Sequence, residues 1–274
     1  MKKVELKIGD IQQVSLQILK TVADICEKNN FKYILAYGTL IGSIRHQGFI
    51  PWDDDIDIIM PRPDYESFLK FLYEHPQPNL KVFNQKTNAK YLYGITRICD
   101  IRYEITTFNE TDCGMGLFID VYPFDGLGDS KEEALNIQRK CREYVINCYN
   151  ASRSFLYNPH LHNLFNLMGY YFNLLKCHIK GKGYYFKCLD DVIAHLDYNS
   201  SDYVGLVSWI FNPERNLYKK EWLEDTIWGK FEGFDFRIPK CYDEMLRSSY
   251  GDYMQLPPEE QRVYHHQYKA YKKE

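Results

Sequence analysis

The sequence lacks several features that would assign it to a broad class at once. No stretch reaches the ~20 apolar residues that a bilayer-spanning helix requires. The N-terminal run MKKVELKIGDIQQ has no apolar core and no small-residue cleavage site, so that stretch does not read as a signal peptide. None of the eight cysteines stands in a C-x-x-C pair, which argues against a structural zinc site. Reduced, mostly buried thiols in a cytoplasmic protein are the expectation. The formal net charge is only -3 over 274 residues, too little basic excess for general nucleic-acid binding. Internal repeats and low-complexity linkers are also missing. What the chain has in excess is aromatic: 16% of residues, with 24 tyrosines. Tyrosine packs like a hydrophobe and keeps a polar tip, which suits a partly wet cleft.

Periodicity then sets out the elements. Asp10 is placed to cap a first helix, with Ile11, Val14, Ile18, Val22 and Ile25 on one stripe and Asn29 and Asn30 as stop signals. Tyr33 to Ala36 reads as a strand leading into Gly38-Thr39-Leu40-Ile41-Gly42, a turn that opens a helix. Asp55 to Met60 alternates as a strand does, Pro61 and Pro63 end it, and a short helix runs from Asp64 through Tyr73. Further strands are expected at Val82-Phe83, Tyr91 to Ile98, Glu104 to Thr107 and Phe118 to Tyr122. Ser130-Lys131-Glu132-Glu133 has the form of a capping box and begins a helix to about Asn150. Residues 161–196 read as helical with a break at Gly181 to Gly183, and a last helix, Tyr242 to Ser249, closes at Gly251. A β-rich first half against a helical second half predicts an α+β fold, in two lobes.

The chemistry concentrates in Pro51-Trp52-Asp53-Asp54-Asp55-Ile56-Asp57-Ile58-Ile59-Met60. On a strand, Asp55 and Asp57 share a face with Cα atoms about 6.5 Å apart, from a rise of about 3.3 Å per residue. Two short carboxylates at that spacing can converge on one ion, while Ile56 and Ile58 point into a core. Like charges so close, next to so much apolar sequence, must be solvated, protonated or shared with a cation. A hard ion such as Mg²⁺, or Mn²⁺, suits oxygen ligands and leaves positions for water and phosphate. An EF-hand register fails, because Ile58 and Asp64 occupy the glycine and glutamate positions. A helical D-D-x-x-D is opposed by Pro51 and the strand-like alternation, and the D-x-D of metal-dependent sugar transferases remains an alternative.

Other residues extend the site. Gly38-Thr39, after a strand and before a helix, can turn backbone N–H groups toward a phosphate. Asp120, on another strand, offers a third carboxylate for a metal shell or for accepting a hydroxyl proton. Arg45 and Arg97 are candidates for phosphate oxygens through their planar guanidinium groups. His265, next to His266, is a candidate for the leaving phosphate.

Taken together, Tyr37-Gly38-Thr39-Leu40-Ile41-Gly42, Arg45-His46 and Ile50-Pro51-Trp52-Asp53-Asp54-Asp55-Ile56-Asp57 resemble the LicD family, which is similar to fukutin and the fukutin-related protein. The resemblance continues in Phe118-Ile119-Asp120-Val121-Tyr122-Pro123-Phe124-Asp125-Gly126, Tyr250-Gly251-Asp252-Tyr253-Met254, Leu256-Pro257-Pro258, Arg262 and His265-His266. It is weak between about Ser130 and Lys220. It implies a nucleotidyltransferase-like core, a mixed β-sheet flanked by helices, over residues 1–130. A mainly helical addition over 131–220 would serve the acceptor or a membrane interface, and 221–274 would pack back on the core. Gly38-Thr39 takes the place of that superfamily's G-[GS], Asp55 and Asp57 match its metal pair, Asp120 its third acid, and Asp53 belongs to the acidic run.

The activity implied is transfer of phosphocholine, or a related phospho-alcohol, from CDP-choline or another CDP-alcohol to a sugar hydroxyl. The acceptor would be teichoic acid or another surface-glycan precursor, including a lipid-linked oligosaccharide. A nucleotidyltransferase, a D-x-D sugar transferase or a glycan-binding protein with a relict site are the competing readings. Trp52 and the tyrosines are candidates for an aromatic cage around a quaternary ammonium. The apolar run from Leu164 to Leu175, followed by Lys176, Lys180, Lys182 and Lys187, is a candidate interfacial helix at the inner face of the plasma membrane.

Overall fold

In a computed structural model, the protein is described over residues 4–107, 111–152, 164–264 and 268–273. Helices α1 (Ile8–Asn29), α2 (Tyr37–Arg45) and α3 (Arg62–Glu74) alternate with strands β1 (Ile34–Leu35) and β2 (Asp57–Pro61). Strands β3 (Leu80–Phe83), β4 (Thr96–Asp100), β5 (Tyr103–Thr107) and β6 (Leu117–Gly126) follow, then helices α4 (Lys131–Ser152), α5 (Leu164–Lys180) and α6 (Lys182–Ile193). The remainder comprises β7 (Tyr203–Gly205), β8 (Leu217–Lys219), the single turn α7 (Glu221–Glu224), β9 (Thr226–Phe231), β10 (Phe234–Pro239), α8 (Tyr242–Tyr250) and β11 (Tyr268–Lys272). The expected α+β class holds.

The principal sheet is mixed, in the order β1-β2-β6-β4-β3, with β7 and β8 continuing from the far end of β6. Only β2 and β6 run parallel; the pairs β1–β2, β4–β6 and β3–β4 are antiparallel. One face of this sheet carries Ile58, Met60, Ile98, Ile119 and Val121, which pack against the apolar side of α1 and against α3. Phe231, Phe236 and Ile238 of the β9–β10 hairpin, with Leu246 and Tyr253, enter the same cluster. The C-terminal segment is therefore part of the first core. Helices α4 and α6 meet over a separate cluster built on Cys141, Val145, Cys148, Tyr185 and Leu189.

Several boundaries move from their sequence-based positions. Helix α1 starts at Ile8, so Asp10 sits in the first turn and accepts the Lys7 backbone N–H at 3.1 Å. Its end is as expected, with Asn30 in the left-handed conformation at φ 56°. The alternating run begins its strand at Asp57, not Asp55, because register pairing with β6 begins at Asp57 and β1 pairs only with Ile58 and Ile59. Tyr91 to Ile95 is not strand; β4 begins at Thr96, where pairing with β6 starts. The helical break falls at Gly181, with φ 76°. The hairpin β9–β10 was not anticipated, nor was β11, which closes antiparallel on β5.

Candidate active site

Asp57 and Asp120 are direct register partners on the parallel strands β2 and β6. Arg97 is in turn the partner of Asp120 on β4. Three charged side chains therefore stand in a row across three adjacent strands, on the face opposite Ile58 and Val121. All three are buried. The Arg97 guanidinium donates to Asp120 through Nε at 2.7 Å and through Nη2 at 3.5 Å. It lies between the rings of Tyr93 and Phe118, 3.9 Å from each centroid. So Arg97, expected on a phosphate, is placed on the third acid instead.

The acidic run is anchored at both ends. Asp53 packs over the start of α2, so closely that a Cβ added at Gly38 would stand 2.5 Å from Asp53 Oδ2. Glycine is the one residue that permits this approach. Thr39 Oγ1 accepts the backbone N–H of Asp57 at 2.9 Å, so this hydroxyl fixes the strand that bears the acid. Asp54 is buried on the other side of the run and accepts the Tyr268 hydroxyl at 2.7 Å. Asp55 lies just before β2 begins, between these fixed points.

Electrostatically, the site is strained in one direction. Burial pushes the Asp57 carboxyl well above the usual carboxylate range, and Asp55, Asp120 and Asp53 push it further, against the pull of Arg97. Asp57 Oδ1 has no hydrogen-bond partner among the described residues. A buried oxygen without a partner, within a concentration of negative charge, matches the requirement of a bound cation. The donor set is all oxygen, as Mg²⁺ or Mn²⁺ prefers. Asp120 is turned to Arg97, however, and no group of three or more His, Cys, Asp and Glu among the described residues is assembled as a metal shell. What fits a cation here is the unpartnered Asp57 oxygen, with Asp55 two residues before it in the chain.

Tyrosines wall the site, and sequence reasoning did not single them out. The rings of Tyr37 and Tyr122 meet edge to face at 5.0 Å, and the Tyr37 hydroxyl donates to Asn216 Oδ1 at 2.7 Å. Burial, followed by Asp57 and Asp120, raises the Tyr122 phenol well above its ordinary value. Tyr250, though 43% exposed, has its phenol raised by desolvation first, with Tyr218 and then Asp57, Asp55 and Asp53 adding to the effect. Trp52 has the Arg262 guanidinium 5.8 Å from its ring centroid. Arg45 is committed to main chain, donating to the carbonyls of Tyr253 at 2.6 Å and Gln255 at 3.3 Å. It holds the C-terminal loop against α2. His265 and His266 lie outside the described residues.

A family model described as "LicD/FKTN/FKRP, nucleotidyltransferase domain" matches residues 30–143, which contain every element of the acidic row. The lipopolysaccharide cholinephosphotransferase LicD of Haemophilus influenzae is 32% identical over 287 aligned positions, covering 99% of each chain. An uncharacterized protein of Rickettsia typhi is 34% identical over 120 residues, covering 43% of this chain and 37% of its own. Over essentially its whole length, this chain belongs to the LicD family.

Proposed function

We propose that the protein is a metal-dependent phosphotransferase that moves phosphocholine, or a related phospho-alcohol, from a CDP-linked donor to a sugar hydroxyl of a surface glycan. The observation that carries this reading is the buried, unpartnered Asp57 oxygen opposite Asp120 on a parallel strand. The full-length likeness to a lipopolysaccharide cholinephosphotransferase supports the choice of transferred group.

Asp55 and Asp57 would hold the ion, with Asp120 as a third ligand or as base. A divalent cation there would offset the charge on the donor's pyrophosphate and on the departing CMP. The acceptor hydroxyl attacks the choline-bearing phosphorus in line and the bond to the CMP oxygen breaks; with Asp120 as base, its carboxylate takes the hydroxyl proton. Arg97 fixes the Asp120 carboxylate and compensates one negative charge in the buried row. Gly38 and Thr39 set the height of the acidic run above α2. Tyr37, Tyr122 and Tyr250 give aromatic surface for the quaternary ammonium, each contact worth about 0.5–2 kcal/mol.

The acceptor belongs to a lipid-linked surface glycan, lipopolysaccharide or teichoic acid, and is met at the inner face of the membrane. On α5, Met168, Phe172, Leu175 and Ile179 are 63%, 74%, 48% and 77% exposed. At 100° per residue they form one stripe, opposite the inward-facing Leu174 and Cys177. Lys176 and Lys180 flank it, which complements anionic headgroups. No helix among the described residues is long and apolar enough to cross a bilayer.

The deciding experiment incubates the protein with CDP-choline, CDP-ribitol or CDP-glycerol, a glycan acceptor and Mg²⁺, and measures CMP release and product mass. A gain of phosphocholine supports the proposal. Transfer of a nucleotide or of a sugar would establish one of the alternatives using the same carboxylates.

A further inference from the structure

A cavity of about 400 Å³ opens between α3, the β3–β4 connection, α6 and Ser208. It contains none of the acidic row, but it is close to it: Tyr93 lines the cavity and also carries the Arg97 guanidinium on its ring. Its size is within the ordinary range for small-molecule sites. Ser208 is buried at 7% exposure, lines the cavity, and its hydroxyl has no hydrogen-bond partner among the described residues. An unsatisfied buried hydroxyl on a cavity wall calls for a ligand group or an ordered water.

The charges on the wall select the ligand. Arg62 is already held by both oxygens of Asp125, at 2.7 and 2.8 Å, and by Glu66 at 3.3 Å. Lys86 stands 3.7 Å from Glu66. A phosphate or nucleotide would find Arg62 occupied and Lys86 turned out to solvent, and would face the carboxylates of Glu66 and Asp190. A quaternary ammonium fares no better: Tyr65 and Tyr93 already carry Arg62 and Arg97, 5.2 and 3.9 Å from their centroids, which leaves Phe186 as a single ring and not a cage. What remains are carboxylate oxygens able to accept hydroxyl protons, the Ser208 hydroxyl, and an apolar surface from Phe186 and Leu189. A pyranose ring has that mixture, hydroxyls around its edge and C–H groups on its faces.

We propose that this cavity binds a neutral sugar residue of the glycan acceptor, other than the residue that is phosphorylated. That it belongs to an acceptor rests on the phosphotransfer reading; that it binds a sugar does not.

The test is saturation-transfer NMR on the full chain with methyl β-D-galactopyranoside, methyl β-D-glucopyranoside and the methyl glycoside of N-acetylglucosamine. Choline chloride and inorganic phosphate serve as ionic controls. Ala194→Trp fills the cavity from an exposed position at the end of α6, and Asp190→Asn weakens a hydroxyl acceptor at the rim. Expected is transfer to at least one glycoside, abolished in Ala194→Trp and reduced about fivefold in Asp190→Asn, with CDP-choline binding unchanged. No transfer to any glycoside, equal transfer in Ala194→Trp, or a site filled by choline or phosphate alone would overturn the proposal. Glycoside binding lost in Ala194→Trp, in a protein that releases no CMP, would leave the sugar site standing and remove the phosphotransfer reading.

Discussion

The Thr39 hydroxyl receives the backbone N–H of Asp57 at 2.9 Å, in a buried position 18 residues away along the chain. This bond couples the first turn of α2 to the strand that bears the central acid. Thr39→Val keeps the shape and removes the acceptor, leaving a buried N–H unsatisfied at a cost of about 1–3 kcal/mol. We expect kcat to fall about tenfold or more, on the scale of a displaced reacting group. Thr39→Ser should recover most of both losses. Steady-state CMP release and thermal denaturation of the three proteins check this; equal activity in Thr39→Val would refute it.

Asp57 gives a prediction whose sign is opposite to the usual one for an active-site mutant. Its carboxyl is raised in the folded state, so the folded chain holds that proton more tightly than the unfolded chain. Stability from this group is present below the unfolded carboxyl range, near pH ~4, and is lost as pH rises through the raised folded value. At neutral pH without metal, Asp57→Asn should therefore melt higher than the parent while having no activity. Added Mg²⁺ should stabilise the parent and leave Asp57→Asn unchanged. Differential scanning fluorimetry with EDTA and with Mg²⁺ separates these outcomes, and a lower melting temperature for Asp57→Asn in EDTA would contradict the charge argument.

Breaking the Arg97–Asp120 pair from one side should be far worse than removing both charges. Arg97→Met strands a buried carboxylate, and such losses are typically about 3–5 kcal/mol. The double variant Arg97→Met/Asp120→Asn should regain most of that stability and none of the activity. Chemical denaturation of the two single variants and the double variant gives the coupling; additive losses would show that the pair is not a unit.

The α5 stripe predicts association with anionic membranes. The protein should sediment with phosphatidylglycerol vesicles, less with phosphatidylcholine, and less again as salt is raised. Phe172→Glu/Ile179→Glu should abolish sedimentation and leave CMP release from a soluble acceptor intact, because neither side chain touches the acidic row. Sedimentation unchanged in that variant would reject α5 as the contact.

Local signals are more legible in the sequence than long-range ones. Asn30 and Gly251 end their helices as expected, both at positive φ, because tolerance of that conformation is a property of the residue itself. The acidic run was identified, and its face alternation is real, but its strand begins two residues late because a strand lasts only as long as its neighbours pair with it. Arg97 and Arg45 illustrate the limit. Each has the chemistry to hold phosphate, yet what each holds is decided by Asp120, 23 residues away, and by carbonyls 208 and 210 residues away. The β9–β10 hairpin did leave a signal, the Glu232-Gly233 pair between two alternating runs, with both residues at positive φ. Tyr37, Tyr122 and Tyr250 stand in the blocks that carry the family resemblance, but which of 24 tyrosines adjoin the acids cannot be sorted without knowing which strands are neighbours.

Tyr268 binds Asp54 across 214 residues, and its strand completes the pairing of β5. On a ribosome, the aspartates of the acidic run emerge long before the hydroxyl that holds Asp54, which follows 214 residues later. A nascent chain arrested before residue 268 therefore carries the acidic residues without the brace on Asp54.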